Sequence, residues 1–548
     1  MMRGWRVWTG AVLLVGCIPS CQGQYEGTPA AQAIDQKGRD AQGDGHYAEA
    51  LADFRKAIAL DPDYADAYGD EIFIAPLAAI EAMGMTGNET GTKDVARAKK
   101  RTGKVVRNEV KGFEKQARRH PDNPIYLWAL GQFYDENDPL KQEQYCRKAV
   151  EVNARFAPGY ECLAAVANLR GDDKAYSALR AKEAELEPDS AKAVFGYVRT
   201  LLKDEAAYKV ATERLLQKFP GDPVAAQALY WYAIDQKTDS AEALSLERLR
   251  RQFAPEKFVW SEIGMEELFE IDDRLDPPKA RALAHDMVRA EPKDDDWPKY
   301  AAYADAMATA EQELANGHAP AAVTALQYIK PPYSIFDMRR ELMLNARALE
   351  ASGRTEDAYR LLLGQYAKHP TEEVGAALDA YGAKAGKSTT EVHAAVWEAV
   401  QKGSTPAIPF TLPGFDGGKP VSLADYRGHV VLVDFWFPNC GPCRQSFPHL
   451  ENLARKYKDQ GLVVLAINGE KGQEPFVLPF LRSQAYDFIP LKADGDWAAN
   501  VYHVRGYPTT FLIGADGRQY YRPRLVNDLE QHSTELAIDA LLAHTRGD

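Results

Sequence analysis

Val430-Val431-Leu432-Val433-Asp434-Phe435-Trp436-Phe437-Pro438-Asn439-Cys440-Gly441-Pro442-Cys443-Arg444-Gln445-Ser446-Phe447-Pro448-His449-Leu450 is the stretch whose reading decides the fold. Its opening run of apolar, largely β-branched residues, Val430 to Val433, predicts a buried strand. The strand leads directly into Cys440-Gly441-Pro442-Cys443 and an amphipathic segment, so the order is strand, dithiol, helix. A cysteine in the first turn of a helix lies at the positive end of the helix dipole, beside backbone N–H groups that favour its thiolate. In Cys-x-x-Cys sites of this kind the thiol pKa falls from about 8.5 toward about 7. Cys440 is therefore the expected attacking sulfur. Pro442 suits a first helical turn, where the N–H it lacks has no intrahelical partner. Cys443, one turn further in, is the expected shielded thiol that closes the disulfide.

These residues resemble the thioredoxin superfamily. Asp434-Phe435-Trp436 followed by Cys440-Gly441-Pro442-Cys443 matches its pattern, in which a buried Asp six residues before the first Cys relays protons to the second. Downstream, Val504-Arg505-Gly506-Tyr507-Pro508-Thr509-Thr510-Phe511 looks like the family's cis-proline segment. The resemblance implies that Pro508 is cis and that Trp436, Gly441, Pro442, Tyr507 and Pro508 line a substrate groove. The lead-in from Phe410-Thr411-Leu412 to Val421-Ser422-Leu423-Ala424-Asp425-Tyr426-Arg427-Gly428 is similar to the N-terminal hairpin of the TlpA/ResA-like branch, periplasmic and usually membrane-tethered thiol-disulfide oxidoreductases. The chain departs from that branch at Ser446, where many members carry Glu, and at Asn439, where Trp is usual. It also has no Lys in Val463-Val464-Leu465-Ala466-Ile467 to neighbour the Asp.

Other dithiol chemistries fit less well. Tetrahedral zinc needs four ligands, and no second cysteine pair lies near the first. A peroxiredoxin places Pro and Thr at set offsets before its reactive Cys, and the residues before Cys440 do not fit. No metal or cofactor is implied.

The rest of the 548-residue chain sets this domain in context. A hydrophobic share of 45%, a charged share of 26% and a net charge of −13 describe a soluble multidomain protein without a nucleic-acid partner. At the N-terminus, Arg3 and Arg6 precede a short apolar stretch, Val7 to Gly16, too short to span a bilayer but suited to a secretory signal. Leu14-Val15-Gly16-Cys17 resembles the bacterial lipobox, in which the Cys is lipidated and becomes the mature N-terminus. The reading is a signal over 1–16 and a polar tether over 17–32. The expected location is exported, in the bacterial periplasm or on the cell surface. Ile18, standing where Asp would signal inner-membrane retention, favours the outer membrane.

Gly38, Ala50, Phe54, Ala57 and Pro62 fall at the spacing of a tetratricopeptide repeat. Pro121, Pro188, Pro220, Pro255, Pro292, Pro331 and Pro370 continue the phase near its 34-residue period. A helical solenoid is thus expected over 33–385, with a loop at Met83 to Thr92, and a capping helix and linker over 386–403. Thr390 to Lys402 carries one apolar face, and Ser404-Thr405-Pro406 opens the thioredoxin-like domain of 404–548. Cys146 and Cys162 stand on successive helices of that pattern, and the sequence leaves open whether they are bonded or buried as free thiols. The histidines, His429, His449 and His503 among them, lack metal spacing.

The fold expected is an all-α solenoid followed by an α/β thioredoxin fold. The function expected is thiol-disulfide exchange on protein disulfides through Cys440, Cys443 and Asp434. A membrane thiol-reducing donor would recharge the site, and the helical region would hold a protein or peptide ligand. The Gly-Pro dipeptide between the cysteines favours a reductase. The alternative is an interaction scaffold whose thioredoxin-like domain docks partners without redox turnover.

Overall fold

The computed structural model describes residues 27–83, 92–134, 138–327, 329, 331–332, 337–525 and 527–546. The signal segment, Cys17, most of the tether and residues 84–91 of the expected loop lie outside them. Contacts divide the chain between Tyr232 and Ala233 into two compact units.

The first unit is helical, and its helices pack largely against their sequence neighbours. The first helix among its described residues, Pro29–Gly43, opens inside the stretch read as tether because Thr28 caps it, accepting the Ala31 N–H, and Pro29 fits the first turn. Gly38 is small for a reason: a Cβ there would lie 2.6 Å from the Phe54 ring of the next helix. Asn123, Asp138, Asp172, Ser190 and Asp204 cap later helices through their side chains. Pro62, Pro121, Pro188 and Pro220 each fall in the turn after a helix, where their missing N–H costs no helical bond. Cys146 and Cys162 are bonded, joining the helices Pro139–Val152 and Ala157–Leu169 with 6.1 Å between Cα atoms.

In the second unit the helices continue to Thr389–Gly403, which Ser388 and Glu391 start with a reciprocal capping box. The chain then enters a six-stranded sheet. Its strands are β1 (Thr405–Pro406), β4 (Val430–Trp436), β5 (Leu462–Asn468), β6 (Ile489–Lys492), β7 (Thr509–Ile513) and β8 (Arg518–Tyr521), in the order β1-β8-β7-β4-β5-β6. β2 (Thr411–Leu412) and β3 (Val421–Ser422) form the expected separate hairpin. β4 is central, parallel to β5 and antiparallel to β7. All seven of its residues are buried, which explains a run of apolar residues without alternation. The fold is that of thioredoxin, following an all-α region.

Two apolar cores flank the sheet. On one face Leu432 and Trp436 meet Cys443, Phe447 and Leu450 of the Gly441–Tyr457 helix and Ile538 and Leu541 of the Asp528–Arg546 helix. On the other, Val431, Val433 and Phe435 meet Phe410, Leu491 and Tyr502. The Thr389–Gly403 helix, expected to cap the helical region, also contributes Val400 to the first core, with Val396 and Trp397 packed against it. Trp397 stacks on Tyr520 with 5.8 Å between ring centroids, and Arg518 donates to the Ser404 hydroxyl and carbonyl at 2.7 and 2.8 Å.

Candidate active site

The site is built where β4 ends. After Trp436 the chain makes a short turn, closed by the Cys440 N–H donating to the Phe437 carbonyl at 3.0 Å. Cys440 then caps the Gly441–Tyr457 helix: its Sγ accepts the Cys443 N–H at 3.2 Å. The sulfur thus occupies the place of an N-cap side chain, where an orphan backbone donor points at it. Cys440 and Cys443 are joined as a disulfide, with 5.3 Å between Cα atoms. Cys440 is 4% exposed and Cys443 0%. Gly441 is exposed and Pro442 half-buried.

Asp434 is held from below the helix. Side chains alternate along a strand, so Asp434 shares its face with Leu432 and Trp436, the face that packs on Cys443. It is buried, and its register partner on β7 is Thr510, whose hydroxyl donates to Asp434 Oδ1 at 2.8 Å. The other oxygen, Oδ2, is buried without a partner among the described residues. Burial pushes the carboxyl up from 3.8 to about 7, with the Thr510 hydroxyl pulling the other way. No cation contributes, in keeping with the missing Lys on β5.

The Tyr507-Pro508 peptide bond is cis, and both residues are half-buried. Tyr507 touches the segment before the dithiol through an edge-on contact with Phe437, 5.2 Å between centroids. Burial pushes its hydroxyl up to about 12. Its hydroxyl lies where Gly469 leaves room: a Cβ at Gly469 would clash with it.

Trp436 does not line a groove. It is fully buried, packed on Phe447 and Phe480 with centroid separations of 4.8 and 5.6 Å. The reason is its place as the last residue of a central strand covered on both faces. At Ser446 the hydroxyl, also buried, donates to the Cys443 carbonyl at 2.9 Å, so this position satisfies backbone and offers no titrating group.

Three residues at the site were not foreseen. Thr510 lay within the quoted cis-proline stretch, and a Thr inside an apolar strand was the available signal. Gln473, 34 residues from Asn439, accepts the Asn439 N–H at 2.9 Å and so ties down the turn that delivers Cys440. Asn468 pairs with Trp436 in the β4–β5 register, and its buried side-chain N and O have no partner among the described residues. No cluster of three His, Cys, Asp or Glu able to hold a metal ion is found among the described residues.

A bridged Cys-Gly-Pro-Cys at a helix start, above a buried Asp on the central strand and in one domain with a cis-proline, defines the thioredoxin-like class. The AhpC/TSA family model matches residues 404–521. The thiol-disulfide oxidoreductase ResA of Geobacillus kaustophilus (strain HTA426) is 38% identical over 127 residues, covering 22% of this chain and 67% of that protein. The ResA of Bacillus subtilis (strain 168) is 35% identical over 123 residues, covering 22% of this chain and 66% of that protein. A putative thiol:disulfide interchange protein DsbE from Chlorobium tepidum, known by its crystal structure, is 34% identical, with 25% of this chain and 96% of that one covered and a TM-score of 0.24. Through its C-terminal domain the chain belongs to the thioredoxin-like thiol-disulfide oxidoreductases of the ResA/TlpA kind. It spans about two thirds of the length of the ResA relatives it matches.

Proposed function

We propose that this protein is an exported, lipid-anchored reductase of protein disulfides, working through Cys440 and Cys443. The observation that carries the reading is the Cys440 sulfur at the helix cap, bridged to Cys443 above the buried Asp434. In the reduced form, the Cys443 N–H and the helix dipole stabilise a Cys440 thiolate. That thiolate attacks one sulfur of a substrate disulfide, and the substrate's other sulfur leaves as a thiolate that takes a proton from water. Cys443 passes its proton to Asp434 and attacks the Cys440 sulfur. The mixed disulfide breaks, the second substrate sulfur departs as a thiolate that takes the proton from Asp434, and the Cys440–Cys443 bridge remains. Two electrons have then passed to the substrate, and a membrane thiol carrier restores them.

Tyr507, Pro508, Gly441 and Pro442, partly accessible around the dithiol, present the substrate groove. The helical region, read as tetratricopeptide-like, holds a protein or peptide partner. The lipobox-like Leu14-Val15-Gly16-Cys17 supports an acyl anchor at Cys17, with the outer membrane favoured over the inner.

Trapping tests the assignment. Cys443→Ser should accumulate a mixed disulfide between Cys440 and a disulfide-bonded protein offered to it. Cys440→Ser should form none. Equal trapping by both variants, or none by either, would leave the scaffold reading in place of the enzyme.

A further inference from the structure

One helix of the first unit, Thr92–Arg119, breaks the charge pattern of the chain. It carries eleven Lys and Arg against three Asp and Glu, a charge of +8 within a chain whose total is −13. Lys100, Lys104, Arg107, Lys111, Lys115 and Arg118 follow one another at steps of three and four, which places them on a single face. At 1.5 Å per residue the stripe is about 27 Å long. All six are exposed, and among the described residues none of them makes an ion pair, although paired cations are common elsewhere in the chain. The opposite face is already covered: Phe113 is buried in an apolar core, with Val110 and Ala117 packed against it. Asn108 and Gly112, exposed beside the stripe, raise no walls that would grip an individual ligand.

We propose that this stripe docks on an anionic membrane surface, as a row of cations lying along phospholipid headgroups. A flat, wall-less line of unpaired Lys and Arg suits a fluid, planar array of negative charge, and with its apolar face occupied the helix adds electrostatic contact without insertion. The path of the chain favours the same occupant. The Thr28 N–H donates to Asp61 at 2.7 Å, and Asp63 accepts from Asn123 at 3.2 Å, four residues beyond the end of the basic helix. The N-terminal segment thus joins the folded body beside one end of the stripe. Cys17 is eleven residues before Thr28, and eleven residues cannot reach beyond about 40 Å, so an acyl group there would hold the stripe close to the bilayer. The proposal goes beyond the redox reading and is tested without the acyl group, so that it stands or falls separately from the anchor.

The test uses the full chain carrying Cys17→Ser, with vesicles of phosphatidylcholine alone or with about 30% phosphatidylglycerol; any pull from the apolar leader is common to every arm. The anionic vesicles should bind the chain at least about ten-fold more tightly, and 0.5 M NaCl should erase the difference, because the Debye length shrinks to a few ångströms. Lys104→Gln/Arg107→Gln/Lys111→Gln/Lys115→Gln, all exposed positions, should lose the preference by at least about ten-fold with unchanged circular dichroism. Lys→Arg at 104, 111 and 115 should retain it. Equal binding to both vesicles, or a preference the Gln variant keeps, overturns the proposal. So does a stripe-dependent self-association or binding to duplex DNA in a chain that ignores the vesicles.

Discussion

The Thr510 hydroxyl donates to Asp434 Oδ1 at 2.8 Å while Oδ2 of the same carboxyl is buried with no partner among the described residues. One hydrogen bond does not replace the water a carboxylate loses on burial, so the proton is held up to about pH 7. That leaves a carboxyl that titrates near neutrality, shielded from solvent on the strand face that packs against Cys443.

The first prediction concerns stability. A carboxyl raised from 3.8 to about 7 binds its proton more tightly in the folded than the unfolded chain. Folding is therefore penalised progressively as pH rises from about 4 to 7, and the full penalty, on the order of 4 kcal/mol, applies above about 7. Asp434→Asn should raise stability at pH 8 by about 2–4 kcal/mol and change it little at pH 4, as denaturant titration at the two pH values will read.

The same substitution should slow the resolving step. Losing a positioned base typically costs about 10²- to 10⁴-fold, so Asp434→Asn should accumulate mixed disulfide while Cys440 still attacks. Stopped-flow kinetics of the two half-reactions checks this.

Thr510→Val removes the one group that lowers the Asp434 pKa. The pH midpoint of the resolving rate should move alkaline by about one unit. An unmoved midpoint would mean that Asp434 is not the group that titrates.

Much of this site is legible in the sequence, and the exceptions share a cause. Cys440, Cys443 and Asp434 were readable because strand, turn and helix fix their spacing locally. Pro508 was readable only by resemblance. Trp436 was misplaced because β4 is apolar on both faces, which erases the alternation that tells in from out. Thr510 and Gln473 depend on partners 76 and 34 residues away, chosen by sheet register and loop packing that local pattern does not encode. The excess of Lys and Arg in Thr92–Arg119 is a fact of sequence that the whole-chain charge of −13 conceals, whereas the lack of ion pairs along its exposed stripe, among the described residues, is a fact of tertiary structure.

Gly469→Ala places a methyl where the Tyr507 hydroxyl sits. The ring must swing out of its contact with Phe437. Steady-state kinetics with a protein disulfide should show KM rising several-fold, with the Cys440/Cys443 potential unchanged.

Trp397→Ala opens the packing between the Thr389–Gly403 helix and β8. The expected cost is about 2–3 kcal/mol, below that of a fully buried Trp because the side chain is only partly covered. A single cooperative transition at lower denaturant would show that helix and sheet fold as one body, whereas an unchanged midpoint would show that the contact adds nothing.

The central claim is most directly tested by the reduction potential of the Cys440/Cys443 couple in the intact chain, equilibrated with dithiothreitol or glutathione buffers and compared with Cys440→Ser. A reversible two-electron couple at or below about −250 mV is predicted for a reductase recharged from the membrane. A potential near −120 mV would assign the protein to the oxidants, and the absence of any reversible couple would contradict the account.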